Sequence, residues 1–266
     1  MPISTPDALW SSPVARRLRP VAVEVSGLVR RVGGQTLLDG FDLAIPAGAR
    51  VLVASVEPEA ASLLLRIMAG VAHPDRGSVL LAGLVREASI PEGWARRVGY
   101  VGSDPGIPLW MTPAESLELA ARLAGMDGPQ RERQIEESLQ RFQLGAIRDR
   151  PLRHAGRVIA ERTALAAALL PDPEVLLLDE PLRAHAPPDR LRLLRIPGER
   201  RTVLIASRYP AQEGGIVDRV VLIRDGRMAL HAPISELDSQ RLPLSLRGMT
   251  ALADLTLVGH APEPPE

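Results

Sequence analysis

Short, continuously apolar runs separated by amphipathic stretches dominate the hydrophobic pattern of the chain. The runs with the length and β-branched content of buried strands are VAVEV (21–25), RVLVAS (50–55), VGYVG (98–102), EVLLLD (174–179), RTVLIAS (201–207) and DRVVLIRDGRM (218–228). Unbroken apolar runs are typical of strands that are covered on both faces, as in a parallel sheet flanked by helices. The pattern therefore predicts a mixed α/β fold with a mostly parallel central sheet.

Amphipathic stretches between these runs predict the helices. In RERQIEESLQRF the apolar residues Ile135, Leu139 and Phe142 are spaced i, i+4, i+7, which places them on one buried helix face. The segments SLELAARLAG (116–125) and ERTALAAALL (161–170) also have helical patterns. The last apolar run is interrupted by Arg-Asp-Gly at 224–226, which predicts a tight turn between two strands.

Composition narrows the class of protein. The 266 residues suffice for one large domain or two small ones, and 32 acidic residues balance 32 basic ones, so no net field attracts nucleic acid. Every basic residue is arginine, and there is no cysteine, which excludes disulfides and thiolate chemistry. No stretch approaches the 18 or so apolar residues of a membrane helix, and the start lacks the apolar core of a secretory signal. We therefore expect a cytoplasmic protein.

The stretch VLVASVEPEAASLLLRIMAG (51–70) has the strand–loop–helix pattern of a phosphate-binding loop of the form G-x-x-x-x-G-K-[ST]. In that frame the two glycines and the lysine are replaced by Ser55, Ala60 and Ala61, and only Ser62 matches. Such a loop binds phosphate through backbone N–H groups that glycines orient and through the lysine charge. The chain lacks these means of holding a polyphosphate at this position.

The residues inside this loop also oppose phosphate binding. Pro58 removes one N–H group, while Glu57 and Glu59 add negative charge near where a polyphosphate would lie. Two like charges 4 Å apart repel by roughly 4 kcal/mol at an effective dielectric constant of 20, whereas a helix N-terminus contributes only about 0.3–1 kcal/mol. Tight ATP binding is therefore not expected.

An ordered series of segments matches one family. The segments are GLVRRVGGQTLLDGFDLAIPAGARVLV (27–53), PDRGSVLLAG (74–83), RRVGYVGSDPGIPLWMTPAESLELAARLAGM (96–126), ALLPDPEVLLLDEP (168–181) and DRVVLIRDGRM (218–228). In this order and at these spacings they resemble the nucleotide-binding subunit of ABC transporters from about residue 21 to 240. The resemblance implies one ABC-type ATPase domain with a small antiparallel β part, a mostly parallel core sheet and a helical subdomain at about 105–165. Residues 1–20 would be a flexible arm and 241–266 a tail with a disordered end.

The resemblance also locates the positions at which this family carries its chemistry, and most are substituted here. The substituted positions are Val32 for the adenine-stacking aromatic residue, Ser103 for the Q-loop glutamine, Ala155, Gly156, Arg157, Val158 and Ile159 for the signature LSGGQ, Ala186 for the aspartate after Walker B, and Arg208 for the switch histidine. Only Ser62, Asp179 and Glu180 match the catalytic pattern.

The three matching residues have a structural explanation as well as a catalytic one. In the resembled family the aspartate organises magnesium and the glutamate orients the attacking water, and both tasks require a bound γ-phosphate. Without one, Asp179 and Glu180 would only cap a strand end, and Ser62 would be an ordinary residue of a first helical turn. We therefore expect no cofactor, with ATP and magnesium bound only if the chain is a working ATPase.

A hydrophobic loop follows the strand VGYVG. In the resembled family this loop lines the groove that receives a helix from the membrane subunit, and here it carries Ile107, Leu109, Trp110 and Met111. Exposed apolar clusters often mark interaction surfaces, and tryptophan is enriched at their centres. We interpret these residues as a docking site for a partner; the alternative is that Trp110 packs inward on the helix SLELAARL.

Three functions remain open from the sequence. The first is a catalytically inactive ABC-type subunit that serves as a structural or regulatory partner of a membrane transport complex, held at the inner face of the membrane by a transmembrane permease. It would pair with an intact ABC ATPase subunit or with a second copy of itself. The second is a working or weak ABC ATPase in which arginines replace the usual contacts. The third is a free-standing soluble interaction module.

Overall fold

Two β-sheets with flanking helices form the fold in the computed structural model, which describes residues 20–86, 93–196, 198 and 200–258. One sheet has four strands in the order β2-β1-β4-β5, and the other has six in the order β10-β9-β3-β8-β7-β6. The α/β architecture with a mostly parallel core sheet and a small antiparallel part is confirmed.

The four-stranded sheet is antiparallel throughout. Its strands are β1 (Val21–Val32), β2 (Gln35–Pro46), β4 (Arg76–Leu81) and β5 (Leu84–Arg86). A two-residue turn joins β1 to β2, and both of its residues, Gly33 and Gly34, have positive φ angles that favour glycine. Burial alternates over part of each strand, at Val23 and Val25 in β1 and at Phe41, Leu43 and Ile45 in β2, as expected for a sheet with one covered face.

The six-stranded sheet is parallel except for its last strand. Its members are β3 (Arg50–Ser55), β6 (Val98–Val101), β7 (Val175–Asp179), β8 (Thr202–Ala206), β9 (Arg219–Arg224) and β10 (Arg227–Pro233). Strand β10 returns antiparallel to β9 through the predicted turn, where Asp225 and Gly226 have φ of 54° and 72°. Every residue of β7 and β8 is buried, which explains their unbroken apolar runs.

The helices in the described part of the chain cover the six-stranded sheet and extend from it. They are α1 (Ala60–Met68), α2 (Trp94–Arg97), α3 (Pro113–Leu123), α4 (Gly128–Arg141), α5 (Arg157–Leu169), α6 (Pro187–Arg195), α7 (Ile234–Ser239) and α8 (Leu246–Val258). Helix α3 begins with a capping box. The Glu115 backbone N–H donates to the Thr112 hydroxyl, and the Thr112 backbone N–H donates to the Glu115 carboxylate. Helices α3, α4 and α5 lie between β6 and β7, in the region where a helical subdomain is expected.

The C-terminal region contains more structure than a tail would have. Helix α8 falls inside the expected tail of 241–266, and its residues Met249, Leu252 and Ala253 are buried at helical spacing. The expected flexible arm (apart from its last residue, Pro20) and the expected disordered end at APEPPE lie outside the described residues. None of the described helices combines the length and the apolarity that a membrane crossing requires.

Candidate functional site

An open cleft of about 810 Å³ lies at the carboxyl ends of β3 and β7. Ligands of open α/β sheets bind at this edge, because the loops after the strands diverge there. Ser62, Arg66, Tyr100, Asp179, Glu180 and Arg208 supply most of the polar lining. Val32, Ser103, Pro58 and Glu59 also line the cleft. The residues assigned to the adenine, Q-loop, Walker B and switch positions are thus brought together around one space.

The loop between β3 and α1 is closed by its own hydrogen bonds. The Ser55 hydroxyl donates to the Glu57 carbonyl at 2.6 Å and accepts the Ala61 N–H at 3.2 Å. The Ala60 N–H donates to the Glu57 carbonyl at 3.2 Å, and the Val56 N–H donates to the Ile223 carbonyl on β9 at 2.9 Å. These N–H groups already have partners inside the chain, so they are not oriented to receive a phosphate.

The two glutamates of the loop have different surroundings. One carboxylate oxygen of Glu57 accepts the Asp225 N–H of the β9–β10 turn at 2.9 Å, and the other is buried with no partner among the described residues. The expectation that Glu57 places its charge near a polyphosphate is therefore wrong, because a backbone N–H on the neighbouring turn holds this side chain outside the cleft. Glu59 and Pro58 do line the cleft. The like-charge argument applies to Glu59 alone.

Asp179, at the end of β7, has its partners within the chain. The Ser62 hydroxyl donates to one of its oxygens at 2.6 Å, and the Tyr100 hydroxyl lies 3.5 Å from the other, at the outer limit of a hydrogen bond. Burial raises the pKa of Asp179, and the nearby Glu180 charge adds to this, against the hydrogen bond from Ser62. Burial also raises the pKa of Tyr100, as does the Asp179 charge. The two residues assigned to magnesium thus contact each other directly.

Both carboxylate oxygens of Glu180 are bonded to arginines. One oxygen accepts the Arg208 backbone N–H at 2.8 Å and the Arg208 Nε at 3.0 Å. The other pairs with Arg183, whose guanidinium lies 4.4 Å from the centre of the Tyr209 ring. Glu180 is only 5% exposed and has a left-handed backbone with φ of 51°. The residue in the place of a water-activating carboxylate is therefore buried and paired with two arginines of its own chain.

The segment that replaces the signature begins helix α5. Gly156 has a φ of 82° and precedes the first helical residue, Arg157. The Arg157 Nε donates to a Glu161 oxygen at 2.9 Å, and its Nη2 donates to the Ser103 carbonyl at 2.9 Å. Gly156 and Ile159, which stand at the serine and glutamine positions of the signature, have no side-chain polar atom with which to replace those contacts. The side chain that could have reached a partner's phosphate is instead bonded within its own chain.

Glu161, the partner of Arg157 in helix α5, is a buried carboxylate that the sequence reasoning missed. It is 4% exposed, and its second oxygen accepts the Ala184 N–H at 3.0 Å and lies 3.3 Å from His185 Nδ1. Burial raises the pKa of Glu161, but hydrogen bonds from His185, Arg157 and Ala184 outweigh it and hold the pKa below its ordinary value. The i, i+4 spacing of Arg157 and Glu161 was a visible signal of pairing, as was the i, i+3 spacing of Glu180 and Arg183.

The hydrophobic loop after β6 has an exposed tip. Trp110 is 70% exposed and Leu109 52%, whereas Ile107 and Met111 are half-buried. The alternative in which Trp110 packs inward on α3 is therefore wrong. Two hydrogen bonds to the turn at Leu152–His154 fix the loop: the Leu152 N–H donates to the Met111 carbonyl at 2.9 Å and the Arg153 N–H to the Leu109 carbonyl at 2.8 Å.

ATP with magnesium is the cofactor that the resemblance implies, and the side chains present supply few of its contacts. The loop N–H groups named above are bonded internally, no lysine exists in the chain, and Glu180 is paired with two arginines. Ser62 and Asp179 would have to exchange their mutual hydrogen bond for the metal. Arg66 and Arg208 bring positive charge to the cleft, yet Arg208 is already paired. The fit to a magnesium-bound polyphosphate is poor.

Comparison with known proteins gives a consistent result. A family model described as "ABC transporter" matches residues 38–183, more than half of the chain. Over 224 residues the chain is 30% identical to the daunorubicin/doxorubicin resistance ATP-binding protein DrrA of Streptomyces peucetius, covering 82% of this chain and 67% of that protein. It is 31% identical over 233 residues to the nickel import ATP-binding protein NikO of Rhodobacter capsulatus, covering 81% and 90%.

Solved structures share the fold at low sequence identity. The ATP-binding subunit of an ABC transporter superposes with a TM-score of 0.76 at 22% identity, covering 88% of this chain and 99% of that one. A dimeric ATP-binding cassette bound to ADP and phosphate superposes with a TM-score of 0.69 at 18% identity, covering 80% and 98%.

Proposed function

The chain belongs to the ABC transporter family of ATP-binding subunits, and we propose that it is a member that does not hydrolyse ATP and serves as a structural or regulatory partner in a membrane transport complex. The observation that carries the proposal is the pairing of Glu180 with Arg183 and Arg208. A general base must present a free lone pair to the proton that it accepts. The Glu180 carboxylate accepts two hydrogen bonds from Arg208 and one from Arg183, which leaves at most one of its roughly four lone-pair sites for a water molecule.

The closed loop between β3 and α1 supports the proposal independently. Polyphosphate binding requires several inward-facing N–H groups together with a cation, and here the Ser55 hydroxyl and the Glu57 carbonyl take the roles of acceptor inside the loop. Opening the loop would break these bonds before any phosphate contact formed. The loop is thus stabilised in a form that does not need a ligand.

We propose that the partners are a transmembrane permease and a second cassette, with the chain held at the cytoplasmic face of the membrane by the permease. The named relatives include import and resistance ATP-binding proteins, and one structural neighbour is a dimer, which supports both kinds of contact. Leu109 and Trp110 are the side chains that we assign to the permease contact, together with the half-buried Ile107 and Met111 of the same loop. An intact cassette is the preferred second partner, because this chain has substitutions in both its loop and its signature segment.

A weak ABC ATPase is the second candidate, and it is favoured by one observation. Ser62, Asp179 and Glu180 lie around one cleft, together with Arg66 and Arg208, which bring two cations to it. In that function Arg208 would release Glu180 on nucleotide binding and contact phosphate in its place. A free-standing interaction module is the third candidate, and it differs from both in having no permease partner.

Isothermal titration calorimetry with magnesium-ATP tests the proposal on the purified chain, alone and then in complex with its proposed permease partner. We expect no measurable heat of binding for the chain alone at millimolar ATP, and the same result in the complex after the contribution of the other cassette is subtracted. Binding that is abolished by Ser62→Ala and Asp179→Ala would support the weak ATPase. Failure to form any complex with a permease would favour the free-standing module.

A further inference from the structure

Arg157 joins two parts of the chain that are far apart in sequence. It is the first residue of α5, and its guanidinium donates both to Glu161, one turn further along the helix, and to the carbonyl of Ser103, two residues beyond β6. The first bond lies within the helix, whereas the second crosses from the helix to the loop that borders the cleft. Arginine suits such a double contact because its planar fork presents several donors at fixed angles.

Glu161 extends the connection to the other side of the cleft. Its carboxylate is buried, so it requires compensation for its charge, and Arg157 supplies a cation to one oxygen. The other oxygen accepts the Ala184 N–H, in the segment that follows Glu180. The first turn of α5 is therefore bonded to the loops after two neighbouring strands, β6 and β7.

The same part of the helical segment carries the hydrophobic loop. The Arg153 N–H donates to the Leu109 carbonyl, and residue 153 precedes α5 by a single short turn. Helix α5 also packs against β6 and α3. Any displacement of the start of α5 relative to the sheet would thus move Trp110 as well.

We propose that Arg157 and Glu161 form a brace, defined by their bonds to Ser103 and Ala184, that fixes the helical segment 113–169 on the core sheet without a ligand. The role of Arg157 is positional: it holds α5 in one arrangement and so presents the loop at 107–111 in a fixed orientation. The brace is a property of the ligand-free chain, and it does not depend on whether the cleft can bind a nucleotide or which partner contacts Trp110.

A distance measurement between the helical segment and the antiparallel sheet tests the brace. Because the chain contains no cysteine, Glu24→Cys on β1 and Glu137→Cys on α4 introduce two unique sites for spin labels, and both positions are exposed. Pulsed electron resonance on the nucleotide-free chain then gives the distribution of the label separation. We expect one narrow distribution with Arg157 present, and a distribution broadened about twofold or split in Arg157→Ala.

The matched control is Arg122→Ala. Arg122 also pairs with a glutamate four residues away, Glu118 at 2.7 Å, but that pair stays within α3. Arg122→Ala should therefore leave the distribution of the label separation unchanged. A second variant, Arg157→Lys, keeps the charge beside Glu161 but lacks the fork that reaches Ser103 at the same time, so it should broaden the distribution while the circular dichroism stays that of the parent.

Amide hydrogen exchange gives a second readout. The Leu152 and Arg153 N–H groups, which bond the hydrophobic loop, should exchange about threefold or more faster in both Arg157 variants than in Arg122→Ala. The same distribution and the same exchange rates in Arg157→Lys and the parent would overturn the brace. If Arg157→Ala does not fold, the Arg157→Lys comparison decides.

Discussion

The central sheet and the cleft at its carboxyl edge are built from the same strands, and they differ in what their side chains contact. Within β7 the residues Val175 to Leu178 are completely buried among other apolar side chains, in the arrangement that defines the fold of the family. One residue further on, Asp179 and Glu180 contact a serine and two arginines of their own chain. Apolar packing fixes the sheet whether or not the cleft binds a ligand. The polar side chains at its edge, by contrast, are held here by partners from their own chain.

The largest effect on stability should come from the sheet side of this comparison. Leu177 is fully buried in β7, so Leu177→Ala should lower the free energy of unfolding by about 2–5 kcal/mol through lost burial and a residual cavity. In the loop at the cleft, Val56 is 42% exposed, and Val56→Ala should change it by no more than about 0.5 kcal/mol. Urea denaturation of both variants measures the difference; equal losses would mean that the loop is as tightly packed as the sheet.

The next largest effect should fall on partner binding and leave the fold intact. Trp110 is mostly exposed, so Trp110→Glu should weaken binding to the permease by about 2 kcal/mol or more while the melting temperature stays within a degree or two of the parent. Co-purification and a titration with the solubilised permease measure this. The matched control is Leu123→Glu, because Leu123 is 71% exposed on the neighbouring helix α3 and is not assigned to the contact. Equal weakening by both would remove the assignment of Trp110.

The cleft should bind magnesium-ATP only when the whole loop at residues 55–61 is replaced. Replacing residues 55–61 by a glycine-rich loop that ends in lysine removes the Ser55 hydroxyl, which bridges the Glu57 carbonyl and the Ala61 N–H, together with Pro58 and Glu59, and it restores the cation. We expect magnesium-ATP affinity to rise by about tenfold or more above that of the parent, the size of a charge-assisted hydrogen bond. Ala61→Lys alone should leave it unchanged, because the Ser55–Glu57 bonds persist. If the rewritten loop binds no better, the pocket is lost beyond the loop, for example at Val32.

Two buried carboxylates, Asp179 in the cleft and Glu161 in helix α5, should change the stability of the chain with pH in opposite directions. The pKa of Glu161 lies below its ordinary 4.5, so its contribution to stability is present above that value and is lost as the pH falls through the folded pKa. The pKa of Asp179 lies above its ordinary 3.8, so the folded state binds the proton more tightly and stability declines as the pH rises through this window.

Thermal melts between about pH 3 and 7 measure these two effects. In Glu161→Gln the acid-side loss of stability should be smaller than in the parent. In Asp179→Asn the decline with rising pH should disappear, which leaves this variant at least as stable as the parent at neutral pH. If the melting temperatures of both variants follow the same dependence on pH as that of the parent, the environments of Glu161 and Asp179 do not differ as described.

The fold was largely predictable from the sequence, because buried strands leave a strong local signal. The runs RVLVAS, EVLLLD and RTVLIAS correspond to β3, β7 and β8 with shifts of at most a residue or two at their ends. Helix α8 was not predicted, since its burial depends on contacts with β9 and β10 that are distant in sequence. The order of the strands in each sheet likewise follows from long-range pairing and was not predicted.

The site was predictable in its positions and not in its contacts. Alignment with family motifs placed Val32, Ser103 and Arg208 around the cleft, where the structure has them. The predicted direction of the Glu57 side chain, toward a polyphosphate, was wrong. The Asp225 N–H that holds this side chain lies 168 residues away in the sequence, so the local pattern gave no sign of it. The same reason hid the bond between Arg157 and Ser103, since a single sequence carries no signal for a side chain that reaches a distant carbonyl.

Phosphate release from ATP by the purified chain, compared with that by Glu180→Gln, tests the central claim most directly. If the arginines have made Glu180 a structural residue, both proteins release phosphate at the background rate, and the variant melts at a lower temperature because Arg183 and Arg208 lose a charged partner. Phosphate release by the parent that disappears in Glu180→Gln, with no fall in melting temperature, would contradict the account and establish Glu180 as a catalytic carboxylate.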